Sequence, residues 1–264
     1  MRLSYLVPAL ALLSNPALAD SPFSFGGSVG YEFPVSGKFI DETSSASLTL
    51  TTLNPSLAGT GILRLRGTDF KDSSEAPLKA TIEVRYALTQ TSEMFGAITY
   101  SQADGKNANI GCVEWIVSGA PDCSTPLTAN FSDFKQMGVE LGYRQWLESP
   151  FMSDRLFPYF ALRAGATQTD ALSATVAASI PSNPNAVIGT WNLYDDKVSY
   201  VVGADLGATY LIAPFAEIGA EVGVRYNSKL SEIDTDLADL GLAAANDKAD
   251  RITIPVSVRL NAAF

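Results

Sequence analysis

Twelve ionisable residues recur in one periodic setting: Glu32, Glu83, Glu140, Asp205, Glu217 and Glu221, with Lys79, Arg85, Arg144, Arg163, Arg225 and Arg259. Each falls on the polar side of a segment in which apolar and polar residues alternate. Six acids and six bases on one face can neutralise each other as ion pairs or line a narrow ion path. Acid–base catalysis by carboxylates alone is conceivable. However, no serine sits in a nucleophile-elbow motif, and the 264 residues contain no histidine. The expectation from the sequence is a chain that is not an enzyme, binds no metal and takes no cofactor.

The segments that must position these charges are short and regular. The closing stretch RITIPVSVRLNAAF puts Ile252, Ile254, Val256, Val258, Leu260, Ala262 and Phe264 on one face, with Arg251, Thr253, Ser257, Arg259 and Asn261 on the other. Such alternation describes a strand with one apolar and one polar face. Seven earlier segments repeat it, at residues 21–33, 76–89, 93–101, 135–147, 158–166, 197–211 and 215–227. The connections between them run long, short, long in strict order. In an up-and-down arrangement all four long connections meet at one end and the three short ones at the other.

The amino terminus has a basic start at Arg2, a short apolar core and Ala17-Leu18-Ala19 before Asp20. This is the layout of a cleaved secretory leader over 1–19, which leaves 20–264 as one β-barrel domain. In an exported chain, Cys112 and Cys123 read as a disulfide stapling a polar loop. A net charge of −10 argues against nucleic acid as a partner, because phosphate binding needs a basic footprint. The acidic stretch around 227–250 does not have the spacing of a calcium-binding EF-hand loop.

Alternation alone does not say which face points outward, and a soluble up-and-down barrel shares it. Three features favour a membrane barrel. The polar face is rich in small residues that suit a crowded interior. The apolar face ends repeatedly in tyrosine (Tyr31, Tyr86, Tyr100, Tyr143, Tyr200, Tyr210, Tyr226), as interfacial girdles require. The chain also stops on Phe264. The expected fold is all-β: a transmembrane up-and-down antiparallel β-barrel of eight strands, with long extracellular loops and short periplasmic turns. The pieces 46–53 and 60–69 also alternate, with NPSLA as a turn between them; they are read as a hairpin rising from the first outer loop, and a ten-stranded version stays open. Pro255 predicts a bulge or a strand end, since proline gives no ladder donor.

The leader, the alternating strands and the terminal VSVRLNAAF resemble Gram-negative outer-membrane β-barrels of the small porin-like, outer-membrane protein A type. The resemblance implies a bacterial outer-membrane location and a lumen plugged by charge. It also implies that Val256, Val258, Leu260 and Phe264 form a signal read by the barrel-assembly machinery; Ala262 departs from that pattern. The partners it implies are outer-membrane lipid, lipopolysaccharide and that machinery, with a host or cell-surface ligand met through the loops. A structural or adhesive role is the expectation, and a small porin-like channel or solute-binding pore the alternative. Trp115, Ile116 and the stretch 186–191 are the apolar loop residues expected to make outward contacts.

Overall fold

A computed structural model describes residues 22–57, 59–117, 120–147, 155–181, 183–213, 215–233 and 235–263; the expected leader and Phe264 lie outside the described residues. The strands are β1 (Phe23–Ser36), β2 (Lys38–Ile40), β3 (Thr43–Ser44), β4 (Leu48–Thr49), β5 (Thr60–Leu65) and β6 (Thr68–Asp69). Next come β7 (Leu78–Thr89), β8 (Ser92–Ala103), β9 (Asn107–Val117), β10 (Ala120–Phe131), β11 (Phe134–Trp146) and β12 (Leu156–Thr169). The remainder are β13 (Leu172–Ile180), β14 (Asn183–Asp195), β15 (Val198–Ala213), β16 (Ala216–Asn227), β17 (Ser231–Glu232) and β18 (Arg251–Ala263). Two single-turn helices, α1 (Phe70–Ser73) and α2 (Thr235–Ala238), lie in the first and last long connections.

Strands β1, β7, β8, β11, β12, β15, β16 and β18 close into an antiparallel barrel, sealed where β1 pairs with β18. The wall therefore has eight strands. The alternating pieces that left ten open are placed outside it: β4 and β5 pair as Leu48↔Gly61 and Thr49↔Thr60 in a separate sheet. The pairing can be followed once round the wall from Ser24 through Arg85, Phe95, Gly142, Arg163, Gly203, Arg225 and Thr253. It returns to β1 at Pro34, ten residues along. Eight strands with that stagger tilt by about 40° and enclose an interior just wide enough for side chains.

Pro255 sits in an unbroken β18, paired with Glu32 of β1. Towards β16 the ladder lapses between Val222↔Val256 and Arg225↔Thr253 without a change of register. The missing donor is thus absorbed by one local gap. The bulge that was expected at the proline occurs instead on β1, between Pro34 and Ser36.

The wall is polar inside and apolar outside. Leu141 is 69% exposed on the outer face, whereas Arg144, on the opposite parity of the same strand, is fully buried. Large apolar side chains cover the outside, among them Ile82, Ile98, Val139, Leu206 and Val258. Tyr86, Tyr143 and Tyr210 lie near the short turns, and Tyr100, Tyr200 and Tyr226 near the long connections. An apolar band between two tyrosine girdles suits hydrocarbon flanked by headgroups.

Beyond the upper girdle the polarity inverts. Four wall strands continue past a two- or three-residue break: β8 into β9, β11 back into β10, β12 into β13 and β15 back into β14. Each break contains an aspartate (Asp104, Asp133, Asp170, Asp196), a residue poorly suited to strands. Gly105 is required at the first, because a Cβ there would lie 2.0 Å from the Phe131 carbonyl. The continuations join in the order β17-β14-β13-β10-β9-β5-β3. Their inner face is apolar and belongs to one buried cluster that includes Leu63, Leu127, Val176, Trp191 and Leu237. Thr128, Asn130, Thr175 and Thr190 point away from it. The four long connections thus form a folded cap with a core of its own.

Cross-links hold the cap together. Cys112 and Cys123 form a disulfide between β9 and β10, with Cα atoms 5.6 Å apart. The Asn54 amide donates to the Val187 carbonyl at 2.7 Å, joining the first connection to β14. The Tyr194 hydroxyl donates to the Phe39 carbonyl at 2.6 Å.

Candidate functional site

Alternation places the charged side chains inside the barrel, and the shear decides which of them meet. Near the short-turn end, Glu217 and Glu93 flank Arg85 at 3.8 and 3.6 Å. Glu93 also pairs with Arg144. The Arg144 guanidinium stacks over the rings of Tyr159 and Phe95 at 4.8 and 4.9 Å. Its other partner is Glu83 at 3.2 Å, and Glu83 reaches Arg259 at 2.6 Å. Arg259 bridges to Glu221 at 2.6 Å, and the Tyr159 hydroxyl donates to the same carboxylate at 2.9 Å.

Arg163 is the hub of the middle layer. Its guanidinium lies 2.6 Å from Asp205, 3.0 Å from Glu221 and 3.1 Å from Glu140. Asp205 pairs in turn with Arg225. Glu140 reaches Lys79 at 3.1 Å, and Lys79 lies 3.6 Å from Glu32. Glu32 also accepts the Thr253 hydroxyl at 2.5 Å. These links connect all twelve charged residues of the sequence reading, and Glu93 with them, into one network. Buried charge is tolerable only when paired and hydrogen-bonded in this way.

The places of two further inward charges, one in the network and one above it, emerge only from the structure. Glu93 shares the inward parity of its strand, but only the β8–β11 register brings it to Arg144. Arg251 lies above the network with no carboxylate within salt-bridge distance among the described residues. Its guanidinium stacks on Phe134 and Phe70, at 4.8 and 5.1 Å, and donates to Gln136 at 3.3 Å. Phe70 comes from the cap and Phe134 from the wall, so Arg251 marks the junction where the polar lumen meets the apolar roof. A cavity of about 10 Å³, lined by Glu32, Phe70, Gln136 and Arg251 among others, lies there, room for about one water.

The loop residues expected to face outward divide. Ile116 and Val187 are exposed. Ala186, Ile188 and Trp191 are buried in the cap core, and Trp115 packs against it while its indole N–H donates to the Thr125 hydroxyl at 2.8 Å. Their apolar character serves the core of the cap.

Apolar outside, charged inside and closed without a sheet edge, the wall is that of a transmembrane β-barrel of the outer-membrane type. No protein-family model matches this chain, and no curated protein matches it. Solved structures similar in fold include Neisserial surface protein A, at 13% identity and TM-score 0.43, covering 92% of this chain and 98% of that one. The attachment invasion locus protein of Yersinia pestis, in complex with the heparin analogue sucrose octasulfate, aligns at 12% identity and TM-score 0.35, covering 90% and 98%. The outer membrane protease OmpT from Escherichia coli aligns at 10% identity and TM-score 0.42, covering 95% and 99%. That last match corrects the expectation of a non-enzyme. A protease is among the barrels of similar fold, so the fold does not exclude catalysis, and the lack of histidine bears only on histidine-dependent schemes.

Proposed function

We propose that this protein is an integral barrel of the bacterial outer membrane whose lumen is closed by charge, and whose work is a structural or adhesive one done by the cap. The observation that carries the reading is the single connected ion-pair network beneath an apolar roof. An ion crossing the barrel would have to part several buried pairs and then traverse the packed core around Phe39, Phe70, Phe131 and Phe134. The cap supports the second half of the proposal: a folded, disulfide-stapled surface is a better platform for recognition than independent loops. A leader removed from 1–19 before the mature domain 20–264, and an assembly signal carried by Val256, Val258, Leu260 and Phe264, belong to the same proposal.

Planar-bilayer recording on the purified protein tests the closed lumen. The expected result is an insulating bilayer across physiological voltages, and reproducible unitary openings would overturn it in favour of a small pore. Adhesion is tested with cells displaying the wild type or Leu127→Asp at equal surface levels. Loss of attachment to host-cell monolayers is expected for the variant, and equal attachment would overturn the role of the cap.

A further inference from the structure

Among the described residues, the lumen network is one base short: with Glu93 it joins seven acids to six bases. The shortfall falls on Glu32. This carboxylate is buried, and the base within 4 Å of it, Lys79 at 3.6 Å, lies closer to Glu140, at 3.1 Å. Glu217, the other weakly paired acid, is 27% exposed at the lower end and open to water. A seventh base stands one cavity away from Glu32. Arg251 and Glu32 line the same water-sized space, yet the guanidinium lies on the rings of Phe134 and Phe70 and donates to Gln136. Its Nη1 is buried with no hydrogen-bond partner among the described residues. Low dielectric strengthens the pull of a carboxylate on such a cation, so it is the aromatic faces that retain it on the far side of the gap.

One of the two rings belongs to the cap. Phe134 opens the wall strand β11, but Phe70 sits on α1 in the first connection and meets Phe39 edge-on at 5.1 Å. Phe39 in turn meets Phe131 of β10 at 5.1 Å and Tyr194 of β14 at 5.3 Å. Packed cores shift between discrete arrangements and do not deform continuously, so a rearrangement of β10 or β14 reaches Phe70 through Phe39. We propose that Arg251 is a latch through which the lumen responds to the state of the cap. While the cap is packed, Phe70 and Phe134 clamp the guanidinium. When Phe70 is drawn away, the guanidinium crosses the cavity to Glu32 and leaves Lys79 to Glu140 alone. Only the top pair of the network changes, so the lumen stays closed in both arrangements. The inference goes beyond the closed-barrel reading and does not depend on the partner of the cap.

The test is a double-mutant cycle on the full-length protein in detergent, run in two backgrounds. Glu32→Gln and Arg251→Gln are combined in the wild type and in Phe70→Leu, which removes a ring face and keeps an apolar side chain. In the wild type the two shifts in unfolding midpoint should come close to adding. In Phe70→Leu the double variant should fall well short of the summed shifts, because the pair is then in direct contact. Equal coupling in both backgrounds would overturn the latch. The Arg251 Nε–H resonance, assigned by its loss in Arg251→Gln, gives a second reading that does not depend on unfolding. Glu32→Gln should move it much further in Phe70→Leu than in the wild type, and the same displacement in both would again overturn the proposal. Bilayer conductance keeps the two readings apart. Openings in Phe70→Leu alone would refute a lumen closed in both arrangements, and openings in the wild type would sink the closed-barrel reading itself. An insulating bilayer with equal coupling sinks the latch and leaves that reading standing.

Discussion

The lower wall and the cap are built largely from the same four strand pairs, yet they solve opposite solvation problems. Below the aspartate breaks, the outward parity is apolar and the inward parity holds Arg144, Glu83, Arg163 and their partners. Above them, the inward parity is Leu127, Ala129, Val176 and Trp191, and the outward parity is Thr and Asn. Backbone hydrogen bonding is alike in both regions. What changes is the medium outside, hydrocarbon below and water above, and side-chain polarity follows the medium. Burial is favourable in the cap because water is excluded. In the wall, lipid is as apolar as leucine, so packing against it brings little of that drive, and specificity passes to the paired charges inside.

That contrast can be attacked at both ends. The largest effect is expected at the hub of the network. Arg163→Leu leaves Asp205, Glu140 and Glu221 short of a partner each, and stripping one partner from a buried pair costs about 3–5 kcal/mol. The variant should lose its heat-resistant folded mobility on electrophoresis or fail to refold, and a wild-type unfolding midpoint would contradict the account of the lumen. Next comes a matched pair of leucines. Leu127→Ala in the cap core should destabilise the cap by about 2–5 kcal/mol, seen as faster hydrogen exchange in β9, β10 and β13. Leu141→Ala on the lipid face should cost under about 1 kcal/mol. Equal costs would erase the distinction drawn between the two regions.

The disulfide sharpens the same boundary. Replacing Cys112 and Cys123 together by alanine should weaken the cap by about 2–3 kcal/mol, as expected for a short closed loop, and raise its sensitivity to protease. The unfolding of the wall in denaturant should not move. A further effect concerns pH. Burial, with Asp41, Glu232 and Asp247 nearby, pushes the Tyr194 hydroxyl well above its usual value. A group whose pKa is raised on folding lends its full stability below the unfolded value, near 10, and loses it as pH climbs beyond. The cap should therefore loosen above about pH 10. Tyr194→Phe should start about 1 kcal/mol less stable at neutral pH, having lost one hydrogen bond, and show a flatter alkaline decline.

The wall was legible from sequence because its period is two and its contrast is strong: no reading of VSVRLNAAF other than a two-faced strand is natural. The cap was hidden because its strands are written in small residues. In LSATVAASI, Leu172, Ala174, Val176 and Ala178 face the core while Ser173, Thr175, Ala177 and Ser179 face away, a pattern too faint to separate from a polar loop. The same ambiguity led Trp191 and Ile188 to be read as outward contacts. For the lumen, parity could say which side a charge is on but not which charge it meets. That depends on shear, and shear is fixed by eight registers at once.

The shared core of the cap has a consequence for how this surface can change over time. Leu63, Leu127, Trp191 and Leu237 come from four different connections and pack in one cluster. In a barrel with separate loops, each loop can drift or be replaced alone under pressure from outside. Here a substitution beneath the surface of one connection is felt by the other three. The exposed face is therefore expected to vary by exchange of outward Thr and Asn residues over a constant interior, or else by replacement of all four connections together, as a single inherited unit.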